Sequence, residues 1–227
     1  MQDWQASVES AIELEIQHVS AYSLSFEPGA VFDAWRRAGR LAPVDEELDR
    51  AMYEWAIERL CEAGLEQYEI SSFAVAGRQC LHNLGYWLNR PFVGVGPGAA
   101  SSTGILPVIQ DSWAGRPRYG QRITNAPDLE RYVAAVESGR QVPNEVHLVE
   151  GDDAICETAV LNLRMRAGID LAEFRRKTGC DALKLFAEPI RWYGEMGMIE
   201  ATDQSLRLTP QALPVADTIL CDFSALD

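Results

Sequence analysis

The sequence predicts an α/β architecture over residues 1–145, followed by a small winged-helix-like α+β domain over residues 146–227. Three observations predict it. Helical and strand-like patterns alternate from Asp3 to Ile70, the rhythm of a parallel sheet with crossover helices. Glycines crowd the end of a strand-like run at Phe92-Val-Gly-Val95. Beyond residue 150, helical patterns give way to a two-stranded ribbon and a last helix.

Taken in order, Trp4, Val8, Ala11, Ile12 and Leu14 recur at helical spacing over Asp3–Leu14. His18–Leu24 is rich in strand formers and stops at Glu27-Pro28-Gly29. Asp45 is placed to cap a second helix, Glu46 and Glu47 suit its positive end, and Leu48, Met52, Trp55, Ala56 and Leu60 form its apolar stripe before Gly64. A short strand follows at Glu66–Ile70. Phe92–Val95 is a further candidate strand, and 101–123 reads as a long loop or a small antiparallel excursion. Pro127 starts a helix that Gly139 halts, and 139–150 is expected to be a linker. Helices are expected near 152–166, 170–178 and 181–196, then strands at Met198–Ala201 and Leu206–Leu208. Thr209 and Pro210 are expected to open the last helix as cap and first helical residue.

Composition narrows the function classes. The chain has 227 residues, 47% of them hydrophobic and 24% charged, which suits a globular protein with a sizeable core. Twelve basic residues face 20 acidic ones in 1–149, and 8 face 14 in 150–227, for a net charge of −14. Phosphate neutralisation dominates nucleic-acid binding, so no nucleic-acid partner is expected from either part. No stretch has the roughly 18 apolar residues of a membrane span, and the acid-bearing start is unlike a signal peptide, so the expected compartment is the cytoplasm. The five cysteines lie far apart, without the close spacing of zinc or iron–sulfur sites, and each reads as a small buried hydrophobe.

Three stretches could carry chemistry. In Cys80-Leu-His82-Asn83-Leu-Gly-Tyr86-Trp87, an imidazole stands beside two large aromatics. An imidazole can ligate haem iron and flat rings suit a porphyrin, although the same residues could cap a helix and pack a core. Gly94-Val-Gly96-Pro-Gly98-Ala-Ala100 would let the backbone approach a ligand closely, or would simply form a tight turn. Glu69, at a strand's carboxyl end, is either an acid, base or positioning group or a salt-bridged rim carboxylate. His18, at a strand start, and His147, in the linker, read as structural.

Six blocks in register carry a resemblance. They are His18–Gly29, Met52–Ile57, Gln67–Ala74, His82-Asn-x-x-Tyr-Trp87, Gly94–Ala99 and Glu157–Leu171. Together they resemble the HemW-type haem chaperones, radical S-adenosylmethionine (SAM) proteins related to the oxygen-independent coproporphyrinogen III oxidases. The resemblance covers essentially the whole chain. It implies the C-terminal part of a radical SAM partial (β/α) barrel plus the family's final domain. It implies haem bound at His82, Asn83, Tyr86 and Trp87, with His82 as iron ligand, for delivery to a client protein. It also implies a SAM pocket lined by Ser25, Gly94, Gly96, Gly98 and Ala100. Two features depart from the family pattern. The Cys-x3-Cys-x2-Cys that binds a 4Fe-4S cluster is absent, so no catalysis is expected of the chain as it stands, and SAM and the cluster belong to an intact parent. Ala100 stands where the family usually has histidine. A fragment of a coproporphyrinogen III oxidase and a non-catalytic interaction module are the competing readings. If preceding barrel strands are missing, one edge of His18–Leu24 should be open, which predicts a dimer.

Overall fold

The computed structural model describes residues 1–104 and 120–226. They form two compact units, Met1–Cys80 and Leu81–Asp227, so the block expected at 1–145 contributes to both. Among the described residues, no helix is long and apolar enough to cross a membrane.

The first unit runs α1 (Gln2–Glu13), β1 (His18–Ser20), α2 (Val31–Arg37), α3 (Glu46–Glu62), β2 (Glu66–Glu69) and β3 (Ser72–Ala74). Asp45 caps α3, accepting from the N–H groups of Glu47 and Leu48, and Gly64 ends it in the left-handed region at φ 83°. Val8, Leu60, Leu65 and Phe73 form the core, with Trp4, Ile12, Val19 and Trp55 packed against it. Full burial of such side chains stabilises by about 1.5–3 kcal/mol each. A bidentate pair of Arg59 with Glu9, at 2.6 and 2.8 Å, ties α3 to α1.

The sheet of this unit has the order β1-β3-β2, and both pairings are antiparallel. This corrects the parallel pairing expected from the alternation. Only Ile70 and Ser71 separate β2 from β3, and so short a link joins antiparallel strands alone. The returning β3 enters between β2 and β1, where a parallel neighbour had been expected. β1 is also shorter than predicted. Tyr22 and Leu24 are exposed, and the chain leaves the sheet after Ser20. Within this sheet β1 is an edge strand.

The second unit contains α4 (Leu81–Trp87), β4 (Ala100–Ser102), β5 (Gly120–Asn125), α5 (Leu129–Glu137) and β6 (Asn144–Val149). It continues with α6 (Gly151–Leu163), β7 (Ile169–Asp170), α7 (Leu171–Thr178), α8 (Ala182–Leu185) and α9 (Ala187–Glu195). It ends with β8 (Ile199–Ala201), β9 (Ser205–Leu208), a 3-10 turn (Pro210–Val215) and α10 (Ala216–Cys221). Two antiparallel sheets result, β4-β5-β6 and β7-β9-β8. The antiparallel excursion expected over 101–123 is seen in its flanks; residues 105–119 lie outside the described residues.

Several local readings change. Phe92–Val95 is not a strand: Phe92 alone bridges to Ser102, and Val93 and Val95 are 83% exposed. The expected linker contains β6, whose six residues all pair with β5, so His147 lies on a strand. Asp128, rather than Pro127, is the boundary residue of α5, accepting from the Arg131 N–H. Pro214 interrupts the last predicted helix, and the segment before Ala216 is 3-10. Thr209 precedes that turn, but its hydroxyl donates to the Gly197 carbonyl instead of capping. Phe174, Phe186, Phe223, Leu163, Ile169, Leu206 and Ile219 fill the core of the terminal α+β part.

Candidate functional site

The second unit brings the His82 block onto one short helix, α4. His82 and Tyr86 are four residues apart, so their side chains meet on one face. The imidazole stands edge-on to the Tyr86 ring at 4.6 Å, and Tyr86 stands edge-on to Phe92 at 4.5 Å. His82 is exposed, while Asn83, Tyr86 and Trp87 are half-buried. The four residues therefore share a helix that offers a solvent-facing imidazole backed by aromatic rings. Trp87 carries the Arg164 guanidinium over its ring at 4.8 Å, and its buried indole N–H has no hydrogen-bond partner among the described residues.

The end of α4 is closed in an orderly way. Asn89 adopts φ 48°, and the N–H groups of Asn89 and Arg90 donate back to the carbonyls of Tyr86 and Gly85, both at 2.8 Å. This is the left-handed closure that usually falls to glycine, with asparagine the common substitute. Leu88 N–H reaches the Leu84 carbonyl at 2.9 Å. Two carbonyls remain, and side chains from α6 and α7 take them. Asn162 Nδ2 donates to the Trp87 carbonyl at 2.7 Å, and Lys177 Nζ donates to the Leu88 carbonyl at 2.5 Å. The buried Asn89 side chain donates to Glu157 Oε1 and Thr158 Oγ1, each at 3.3 Å. Burial pushes the Lys177 pKa down, partly opposed by Glu173 beside it.

The glycine run serves a different purpose in this unit. Gly94 lies so close to β4 that an added Cβ would sit 2.1 Å from the Ala100 carbonyl oxygen. Its N–H donates to Ser101 Oγ, that of Gly96 to the Tyr132 hydroxyl, and that of Gly98 to the Ala126 carbonyl. Gly96 and Gly98 take φ values of 119° and 69°. The three N–H groups are thus spent inside the protein. Ser25 is exposed and belongs to the other unit.

Glu69 is 1% exposed, and its Oε2 has no hydrogen-bond partner among the described residues, which is neither a rim position nor a salt bridge. His18 bonds the Tyr68 hydroxyl at 2.9 Å. Cys61 and Cys221 are exposed, and Cys80 and Cys180 are half-buried. Burial and the nearby Asp152 and Asp153 push the buried Cys156 thiol up to about 11. Among the described residues, no three His, Cys, Asp or Glu side chains converge as a metal-binding group.

Sequence reasoning missed Asn162, Lys177 and Glu157 as supports of this helix. The available signal was polar Thr158 and Asn162, one turn apart on a helix whose other buried positions are apolar.

Residues 149–215 match the family described as HemN C-terminal domain. The heme chaperone HemW of Bacillus subtilis is 31% identical over 217 residues, 96% of this chain and 53% of that protein. The heme chaperone HemW of Synechocystis is 31% identical over 223 residues, 95% and 51% of the two chains. A mitochondrial radical S-adenosyl methionine domain-containing protein 1 of Danio rerio is 31% identical over 167 residues, covering 73% and 36%. Among solved structures, coproporphyrinogen III oxidase (HemN) from Escherichia coli matches with a TM-score of 0.68 at 16% identity, covering 99% of this chain and 51% of that one. That likeness speaks for the fold: a mixed α/β chain that follows half of a radical SAM enzyme. The chain spans about half the length of the curated relatives it matches. Over most of its length the chain is homologous to the heme chaperone HemW proteins, and its residues 149–215 are a HemN C-terminal domain.

Proposed function

We propose that this chain supplies the haem-binding part of a HemW-type haem chaperone. His82 is the iron ligand, Tyr86 and Trp87 pack against the porphyrin, and Asn83 orients the start of α4. The observation that carries this reading is the exposed imidazole held edge-on to Tyr86 on a helix that also bears Trp87. A neutral imidazole nitrogen is a good iron ligand, and its solvent-facing position leaves room for a flat macrocycle. The haem is cargo, passed to a client protein in the cytoplasm. SAM and a 4Fe-4S cluster belong to an intact parent. The barrel part reaches to about residue 145, with the winged-helix-like domain beyond it. The edge position of β1 supports self-association through its unpaired side.

A Soret titration of the full chain tests the reading. One good contact to a charged centre is worth on the order of 1.5–3 kcal/mol, so His82→Ala should weaken haem binding by about tenfold or more. Equal affinities for wild type and variant would return His82 to a structural role.

A further inference from the structure

We propose that Asn162 and Lys177 are positioning residues for the haem site: the terminal domain, by gripping the end of α4, holds His82 and Tyr86 one helical turn apart. The inference rests on His82 as the iron ligand and adds to it the group that keeps the ligand in place. α4 has only seven residues, well below the roughly 12–15 that give even a marginal isolated helix in water. Its own closing turn satisfies the carbonyls of Leu84, Gly85 and Tyr86. The remaining two, on Trp87 and Leu88, are the ones that Asn162 and Lys177 receive.

Neither donor is a surface ornament. Asn162 is 6% exposed, and the Lys177 side chain 12%. Buried polar groups are costly unless bonded, and the bonds these two make reach 75 and 89 residues back along the chain to consecutive carbonyls. Lys177 also places its ammonium at the negative end of a helix. Thr158 and Glu157 hold Asn89, the left-handed residue on which the closing turn depends. Four side chains of α6 and α7 thus meet three successive residues, 87–89, directly after the His82–Tyr86 pair. Without that grip α4 frays from its carboxyl end, and the four-residue spacing that sets the imidazole against Tyr86 is lost.

The test compares the full chain with Asn162→Leu, Lys177→Met and the conservative Lys177→Arg. Far-UV circular dichroism checks folding. Without haem, imidazole NMR resonances of His82 should move toward unstructured values in Asn162→Leu and Lys177→Met, while those of His18 and His147 stay. With ferric haem, the same two variants should show a mixed ligand-field spectrum by electron paramagnetic resonance and an affinity about fivefold or more lower. Lys177→Arg, which keeps a charged donor, should restore both signals. If Asn162→Leu fails to fold, Lys177→Met decides alone, because methionine keeps the length and apolar stem of the side chain. Folded variants with unchanged His82 resonances and an unchanged ferric spectrum would overturn the proposal. If haem binds equally well to His82→Ala, the haem reading fails, while the haem-free resonances still decide whether the grip positions His82.

Discussion

Replacing Gly94 by alanine is the sharpest test of how the glycine run is built. The new Cβ would lie 2.1 Å from the Ala100 oxygen, 2.7 Å from its carbonyl carbon and 3.0 Å from its nitrogen. All three are backbone atoms of β4, which is pinned by its ladder to β5. Overpacking costs about 1–3 kcal/mol when side chains can yield, and here none can, so the upper end applies. Pulling the loop away also breaks the Gly94 N–H bond to Ser101 Oγ, worth about 1 kcal/mol. The expected loss is therefore about 3–4 kcal/mol. Gly85→Ala is the matched control. Gly85 sits inside α4 with nothing within 4 Å of a new Cβ, so alanine should stabilise by about 0.5–1 kcal/mol. Hydrogen exchange at stepped urea concentrations reads both in peptides from 81–104 and 120–149. With an m-value of about 2 kcal/mol/M, Gly94→Ala should lower their midpoint by about 1.5–2 M. A midpoint within 0.3 M of wild type, at about that m-value, would refute the reasoning and show that the loop yields freely.

Other outcomes follow from the same geometry. Tyr193 donates to Asp222 at 2.7 Å, and that bond, with burial, raises its pKa to about 12. The neutral phenol is thereby favoured in the folded state, so this stability is full below pH 10 and fades as pH rises through 12; Tyr193→Phe should flatten that slope in thermal melts. Gly168→Ala meets both φ 70° and the Leu206 oxygen at 2.2 Å, and should destabilise the terminal α+β part by at least about 3 kcal/mol in the same exchange experiment. Timed alkylation at pH 8 should label Cys61 and Cys221 well before Cys156, which is buried and whose pKa is raised; equal rates would contradict its burial. In a monomeric sample, the amides of β1 should exchange faster than Phe73 in the central strand; equal protection would mean that the edge is covered.

What could be read in advance was local. Asp45, Gly64 and the stripe ending at Leu60 define α3 through contacts within a turn or two; the structure has Asp45 and Gly64 in those roles and covers the stripe from Met52 to Leu60, while Leu48 is exposed. The two-stranded ribbon near residues 198–208 was legible for the same reason. Partner choice between strands was not. The antiparallel entry of β3 beside β1 depends on residues more than fifty positions apart, and alternation of helix and strand patterns carries no information about direction. Val93 and Val95 suggested a strand through composition alone, while Gly94 pressing on Ala100 turns both side chains outward. At the candidate site, the sequence groups His82, Asn83, Tyr86 and Trp87 through the family resemblance and as neighbours in one block, read as a cap followed by core aromatics; that a single helix carries all four comes from the structure. Asn162 and Lys177 could not be linked to them: polar Asn162 on a largely apolar face signals a bonded side chain, but nothing in the sequence says that its partner is a carbonyl 75 residues back.

The central place of β3 also fixes an order of events during folding. β2 and β3 close across two residues and can pair within microseconds, with α3 beside them. β1 must wait, because its register joins His18 to Ala74 and encloses all of α2, α3 and the hairpin. Closing a loop of that length costs about 3.5 kcal/mol in chain entropy, with no gain until Val19 reaches Phe73. The amino-terminal strand is thus the last to arrive. While synthesis has reached only about residue 60, α1 and β1 stand ahead of their sheet, because β2 and β3 have yet to be made.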